Sequence, residues 1–151
     1  MKRPIFAVVV LAAIAASLMA VAVVQATSDL TFPVDIDIRP STIPNDINLK
    51  SKGVIPVAIL GNPDFDPTTV DLSTVTFGPN PSGVGAFPAH SGHFKDLNGD
   101  GIIDLLLHFK TQDTEIGVLT AQACITGVTI DGIPIFGCDS VNIVGPIQAN
   151  G

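Results

Sequence analysis

The chain is 151 residues long with fourteen Asp or Glu against seven Lys or Arg, a formal charge of −7, and it lacks both Trp and Tyr. So acidic a balance argues against nucleic acid or anionic lipid as a partner, because either would be repelled. The missing Trp and Tyr weaken a sugar-binding reading, since flat aromatic platforms for stacking are then left to the eight Phe.

Lys2 and Arg3 precede an apolar stretch over residues 5–24, which closes on Val24-Gln25-Ala26. This pattern predicts a secretory signal peptide over residues 1–26, cleaved before Thr27. The stretch is also long enough to act as an uncleaved anchor, and no cysteine follows it to accept a lipid. Residues 27–151 are expected to form one domain of ordinary size. Cleavage removes two basic residues and no acidic one, which deepens the negative charge of the mature part.

Beyond this leader, Pro, Gly, Asn or Asp recur every eight to twelve residues between runs of Val, Ile, Thr and Leu, the rhythm of an all-β domain. Strands are predicted over 34–39, 54–60, 70–77, a weaker run ending near Phe94, 103–109, 117–130 and 133–143. In the first, Val34, Ile36 and Ile38 alternate with Asp35, Asp37 and Arg39, so one face is buried and the other wet. Pro56 and Pro134 are expected on edges, at strand starts or at bulges, because proline cannot donate to a central ladder. No segment carries sustained helical periodicity. The fold expected is a single-domain, β-sandwich-like unit of antiparallel sheets.

Between the second and third runs, residues 62–71 alternate Asn62, Asp64, Asp66 and Asp71 with Pro and Phe. A second ion around Asp64 and Asp66 and an ordinary acidic Pro-turn both account for them. His90, His93 and His108 raise a zinc reading, but no cysteine or clear fourth ligand accompanies them, and scattered surface histidines are the expectation.

The stretch with the most chemical content is Asp96-Leu-Asn98-Gly-Asp100-Gly-Ile102-Ile-Asp104. Calcium takes six to eight oxygen ligands, and side-chain oxygens at positions 1, 3, 5 and 9 with a backbone carbonyl at 7 can wrap one ion. Asp96, Asn98, Asp100 and Asp104 fill the side-chain positions, Ile102 offers its carbonyl, and Gly101 stands where the chain must turn sharply. Position 12, where an EF-hand carries a bidentate Glu, is Leu107 within an apolar run, so the loop is expected between two strands. It resembles the D-x-N-x-D-G-x-x-D-L loops of integrin-type and related secreted β-repeats. A metal-free hairpin turn at Asn-Gly or Asp-Gly is the simpler alternative. Three carboxylates in nine residues, offset by Lys95 alone, favour a cation.

Cys124 and Cys138 are expected to pair, given the oxidising compartment a signal peptide implies. Between them, two apolar runs flank Asp131-Gly132, a hairpin signal. A two-residue turn there would set Cys138 opposite Ile125, so a bulge at Gly137 is needed to bring the cysteines together.

Val34-Asp-Ile-Asp-Ile-Arg-Pro40 followed by Pro44-Asn-Asp-Ile-Asn-Leu-Lys-Ser-Lys-Gly-Val-Ile-Pro-Val-Ala-Ile-Leu60 resembles a module of secreted bacterial and archaeal proteins. Asp64-Phe-Asp66, Thr76-Phe-Gly78, the Asp96 to Asp104 loop and the closing Gly-Cys-Asp-Ser-Val extend the likeness over almost the whole mature part. That family is a poorly characterised extracellular β-domain, usually appended to larger surface proteins. The resemblance implies a calcium loop, a sandwich-like fold and no catalysis.

The expected function is thus a secreted or cell-surface calcium-binding structural module that self-assembles into a homo-oligomer, fibre or matrix. The alternative is calcium-dependent adhesion or carbohydrate binding in which the ion coordinates hydroxyls. No nucleophile elbow, phosphate loop or paired carboxylate frame marks an enzyme, and no small-molecule substrate is indicated.

Overall fold

A computed structural model describes residues 30–79 and 85–145; the predicted signal peptide lies outside them. Ten strands form among the described residues: β1 (Phe32–Pro33), β2 (Ile36–Ile38), β3 (Asp46–Asn48), β4 (Val54–Ile59), β5 (Thr76–Gly78), β6 (His93–Lys95), β7 (Asp104–Lys110), β8 (Gln122–Val128), β9 (Pro134–Ser140) and β10 (Asn142–Val144). One four-stranded sheet has the order β1-β9-β8-β5, a second β2-β4-β7-β6, and β10 and β3 form a separate pair. The all-β, sandwich-like expectation holds. Two short pairings depart from it, since β1 joins β9 and β10 joins β3 in parallel.

The core lies between the two four-stranded sheets. Ile38, Val57 and Ile59 of the second sheet are fully buried with Leu105, Leu107 and Phe109, facing Phe77, Ile125 and Ile135 of the first. The rings of Phe77 and Phe109 meet across this interface with centroids 5.0 Å apart, within the range of favourable aromatic pairing. In β2 the predicted alternation holds, with Val34, Ile36 and Ile38 buried and Asp35 exposed. Asp37 is only half-exposed.

Three strand boundaries were expected elsewhere. Much of 70–77 is not extended: single 3-10 turns occupy Pro67–Thr69 and Leu72–Thr74. Asp66 caps the first through the Thr68 amide and Asp71 the second through the Ser73 amide, and such local side-chain bonds compete with a sheet ladder. Residues 117–121 turn before β8, with the Thr120 amide bonded to the Gly117 carbonyl. Residues 133–143 divide into β9 and β10, which join different sheets.

Pro134 opens β9, as expected of proline, but Pro56 lies inside β4, between β2 and β7. Its carbonyl accepts from the Arg39 amide, so its missing donor points to the same side, just where β2 ends at Ile38. The acceptor that such a donor would have met, the Arg39 carbonyl, accepts from the Thr42 amide and hydroxyl instead.

The hairpin joining β8 and β9 also corrects a register. Cys124 pairs directly with Cys138 and Ile125 with Gly137, and the two cysteines are disulfide-bonded. Thr129 donates to Ile133, which leaves three loop residues, and the last, Gly132, has φ +80°. A three-residue loop with a left-handed glycine carries its extra residue within the turn, so no bulge at Gly137 is required. Closing a loop of 14 residues in sequence separation stabilises the fold by about 3 kcal/mol in the chain-entropy account.

Gly137 serves a different purpose. A Cβ on it would stand 2.3 Å from the Val34 carbonyl oxygen, at the point where the chain leaves β1 in one sheet for β2 in the other. The edge of β2 is closed there as well: the Ile38 amide donates to Asp139 Oδ2 at 3.0 Å, and Asn45 Nδ2 donates to the same oxygen. A covered edge amide cannot template pairing with another chain. Burial first, and the Asp139 charge second, raise the Asp37 carboxyl above its ordinary pKa.

Gly137→Ala is expected to destabilise the fold by about 1–3 kcal/mol through this backbone collision, whereas Gly117→Ala, with nothing within 4 Å of its Cβ, changes little; urea unfolding of both variants measures the difference. A raised carboxyl pKa makes the unfolded chain ionise first, so stability is lost as pH climbs through and above the ordinary carboxylate range. Asp37→Asn should consequently raise Tm at pH 7 and leave it unchanged at pH 3, as read by thermal melts at the two pH values.

Candidate metal centre

The calcium-loop residues lie between β6 and β7, two antiparallel neighbours paired as His93 with Leu106, Phe94 with Leu105 and Lys95 with Asp104. The loop joins two strands, not two helices. Asp96 Oδ1 accepts from the Gly99 amide at 2.7 Å and its Oδ2 from the Gly101 amide at 2.9 Å. Asn98 Oδ1 accepts from the Asp100 amide, and Asp100 Oδ1 from the Ile102 amide at 2.8 Å. Gly99 and Gly101 have φ of +80° and +87°, a conformation that side-chain-bearing residues rarely adopt. The backbone is thereby coiled around its own Asx side chains, with Asn98 and Asp100 exposed and Asp96 half-exposed. Donation from the Gly101 amide, foremost, holds the Asp96 carboxyl below its ordinary pKa.

Asp104 differs from the other acids of the loop. It is fully buried, and its Oδ1 accepts from the Gly61 amide at 2.9 Å while its Oδ2 accepts from the Leu97 amide at 2.7 Å. One carboxylate therefore ties the exit of β4, the start of the loop and the start of β7 together. The approach is close: a Cβ on Gly61 would stand 2.3 Å from the Ile103 carbonyl oxygen. Four of the five predicted ligand positions lie on the exposed or half-exposed loop, and the fifth is the buried latch at its end. Asp64, by contrast, stays in its own turn, its amide bonded to Asn62 Oδ1. The Asp66 carboxyl is held below its ordinary pKa by the Thr68 hydroxyl and then by the Thr68 amide.

Among the described residues, the acids of the loop do not draw together as a group of three within common reach of one ion, but three histidines do. The ligand atoms of His90, His93 and His108 all lie within 4.8 Å of one another. They are not the scattered surface residues that their spacing suggested. Their rings meet with centroids 4.8 Å apart for His90 and His108, 5.6 Å for His90 and His93, and 6.1 Å for His93 and His108.

The convergence arises from strand geometry. Leu105, Leu107 and Phe109 of β7 face the core, so Leu106 and His108 face outwards. His93 pairs with Leu106 and shares that outer face. Between this pair and the Pro88–Phe109 bridge, five steps of the incoming chain span three of β7, an irregularity of the kind that re-aims side chains. The Ala89 amide donates to the His108 carbonyl at 2.7 Å, which brings His90 alongside. Gly92 packs on the core side, where a Cβ would stand 2.5 Å from Leu105 Cδ1. Burial, and then the neighbouring charges of His90 and His93, lower the His108 pKa. No sequence signal could have found this cluster other than His90-x-x-His93 itself, because His108 joins it only through the sheet.

Asp104→Ala is expected to destabilise the fold by about 2–4 kcal/mol, because the buried Gly61 amide and the half-buried Leu97 amide lose their acceptor; Asp100→Ala, on the exposed loop, should cost far less in calcium-free buffer. Chemical denaturation in the presence of a chelator separates the two. Comparison with protein-family models, with curated proteins and with solved structures finds no match to this chain.

Proposed function

We propose that the protein is a secreted, calcium-binding structural module in which an ion in the β6–β7 loop braces the sandwich. The observation that carries this reading is the wrapped loop, where Asp96, Asn98 and Asp100 each fold back on loop amides between two left-handed glycines. Such coiling keeps oxygen-bearing side chains at alternate positions of one short loop, the donor spacing of calcium loops, and an ion would draw the three carboxylates closer than they stand. A carboxylate offers about four acceptor sites, so the amide bonds of Asp96 and Asp104 leave lone pairs for a cation. The Ile102 carbonyl adds a further oxygen. Asp96, Asp100 and Asp104 repel one another across nine residues, and an ion relieves that repulsion.

Leu107 is fully buried in the core where an EF-hand would have its bidentate Glu, so water completes the shell and affinity falls in the extracellular range of roughly 0.1–1 mM. At a hundredfold excess of free calcium, linkage adds about 2.7 kcal/mol to stability. The Cys124–Cys138 disulfide accords with folding in an oxidising compartment. No helix among the described residues is long and apolar enough to cross a membrane. The role is structural and non-catalytic. Apolar side chains left exposed outside the core, among them Val118 and Leu119 at 61% and 94%, support association of copies into a surface layer or fibre.

A second reading, calcium-dependent adhesion to a glycan or cell surface, is favoured by Phe87 and Phe94, which are exposed at 63% and 49% and so are free to stack on a sugar. Calcium titration followed by Tm tests the site: the native chain should gain several degrees, Asp100→Ala most of that gain lost, and Asp35→Ala none of it lost. Equal responses in the two variants would remove the loop from consideration. Electron microscopy with and without chelator then separates the roles, since assemblies that dissolve in chelator mark the structural one and calcium-dependent glycan binding by monomers marks the other.

A further inference from the structure

We propose that His90, His93 and His108 form a second metal site, selective for a divalent transition metal such as Zn2+ over Ca2+, on the outer face of the second sheet. Imidazole nitrogen suits zinc and copper, whereas calcium takes oxygen, so this site and the β6–β7 loop recognise different ions.

Three observations converge on it. The ligand atoms of the three rings already lie within 4.8 Å of one another; a tetrahedral zinc with bonds of 2.0–2.1 Å needs about 3.3 Å between them. The difference is within reach of side-chain rotation, because His90 and His93 are exposed. His90 Nδ1 lies 2.8 Å from the Ser91 carbonyl oxygen, an acceptor that fixes the proton on Nδ1 and leaves the Nε2 lone pair for a metal. A carbonyl that orients a ring in this way is the usual support of a metal-bound histidine. Finally, His108 Nδ1 is buried with no hydrogen-bond partner. A buried polar atom without a partner is rare, and a ligand that takes up its lone pair removes the penalty.

Three histidines leave the fourth position of a tetrahedral zinc open to water, the arrangement of sites that exchange a ligand. Both exposed histidines border solvent, so that position faces outwards. The site holds whether or not the loop binds calcium, because the two share no ligand.

Isothermal titration of Zn2+ into the purified, chelator-treated protein tests the proposal. One ion per chain is expected to bind, His93→Gln and His108→Gln each weakening it at least tenfold, Asp100→Ala leaving it unchanged, and Ca2+ failing to compete. Cu2+ should bind more tightly than Zn2+. His93 is exposed, so its variant keeps the fold even where His108→Gln, at a partly buried position, does not. Zinc binding no tighter to the native chain than to a His90→Gln/His93→Gln double variant would overturn the site, as would the absence of binding. Loss of zinc binding on Asp100→Ala would overturn its independence from the loop.

Discussion

The two-residue period of β7 governs both the core and the chemistry of this protein. Leu105, Leu107 and Phe109 point inwards and are fully buried, while Leu106 and His108 are turned to the other face. Asp104, at the first position, falls on the outward parity and latches the loop. A slip of one residue would send the leucines to solvent and the histidine into the core. The hydrophobic demand of the sandwich therefore fixes where the polar groups stand. Both candidate metal sites are by-products of a register set by packing.

β7 is supported from either side by different means. Toward β4 the pairing is long and regular, running from Val54 with Lys110 to Ile59 with Leu105. Toward β6 it is short, then broken by the irregular segment that carries His90. The stiff partner supplies stability and the irregular one supplies side chains that converge. The same division appears in the loop, where Asp104 is buried and anchored while Asn98 and Asp100 are exposed and Asp96 half-exposed. Paired strands thus hold the ends of a segment whose middle is open to solvent.

Glycine contributes through space as much as through conformation. Gly99 and Gly101 supply positive φ for the coil of the loop. Gly137 instead makes room for the Val34 carbonyl where the chain crosses between sheets. A sequence reading sees the same letter in both places. A two-residue turn at Asp131-Gly132 would demand a bulge at Gly137; the extra residue resides instead in a three-residue loop, and the cysteines face each other without further adjustment.

Residues alone were sufficient for the all-β class, the alternating face of β2, the disulfide and the placement of an Asx-rich loop between strands. These are local matters, set by side-chain period, turn chemistry and short sequence separation. The capping of 3-10 turns by Asp66 and Asp71 was also local, but there side-chain bonding overrode an apolar pattern that resembled a strand. Tertiary structure alone decided which strands share a sheet, why Pro56 is tolerated inside one, and that Asp104 reaches the Gly61 amide 43 residues away. It alone gathered His90, His93 and His108, because pairing across a sheet depends on which distant segments bury the same core, and no spacing along the chain records that choice.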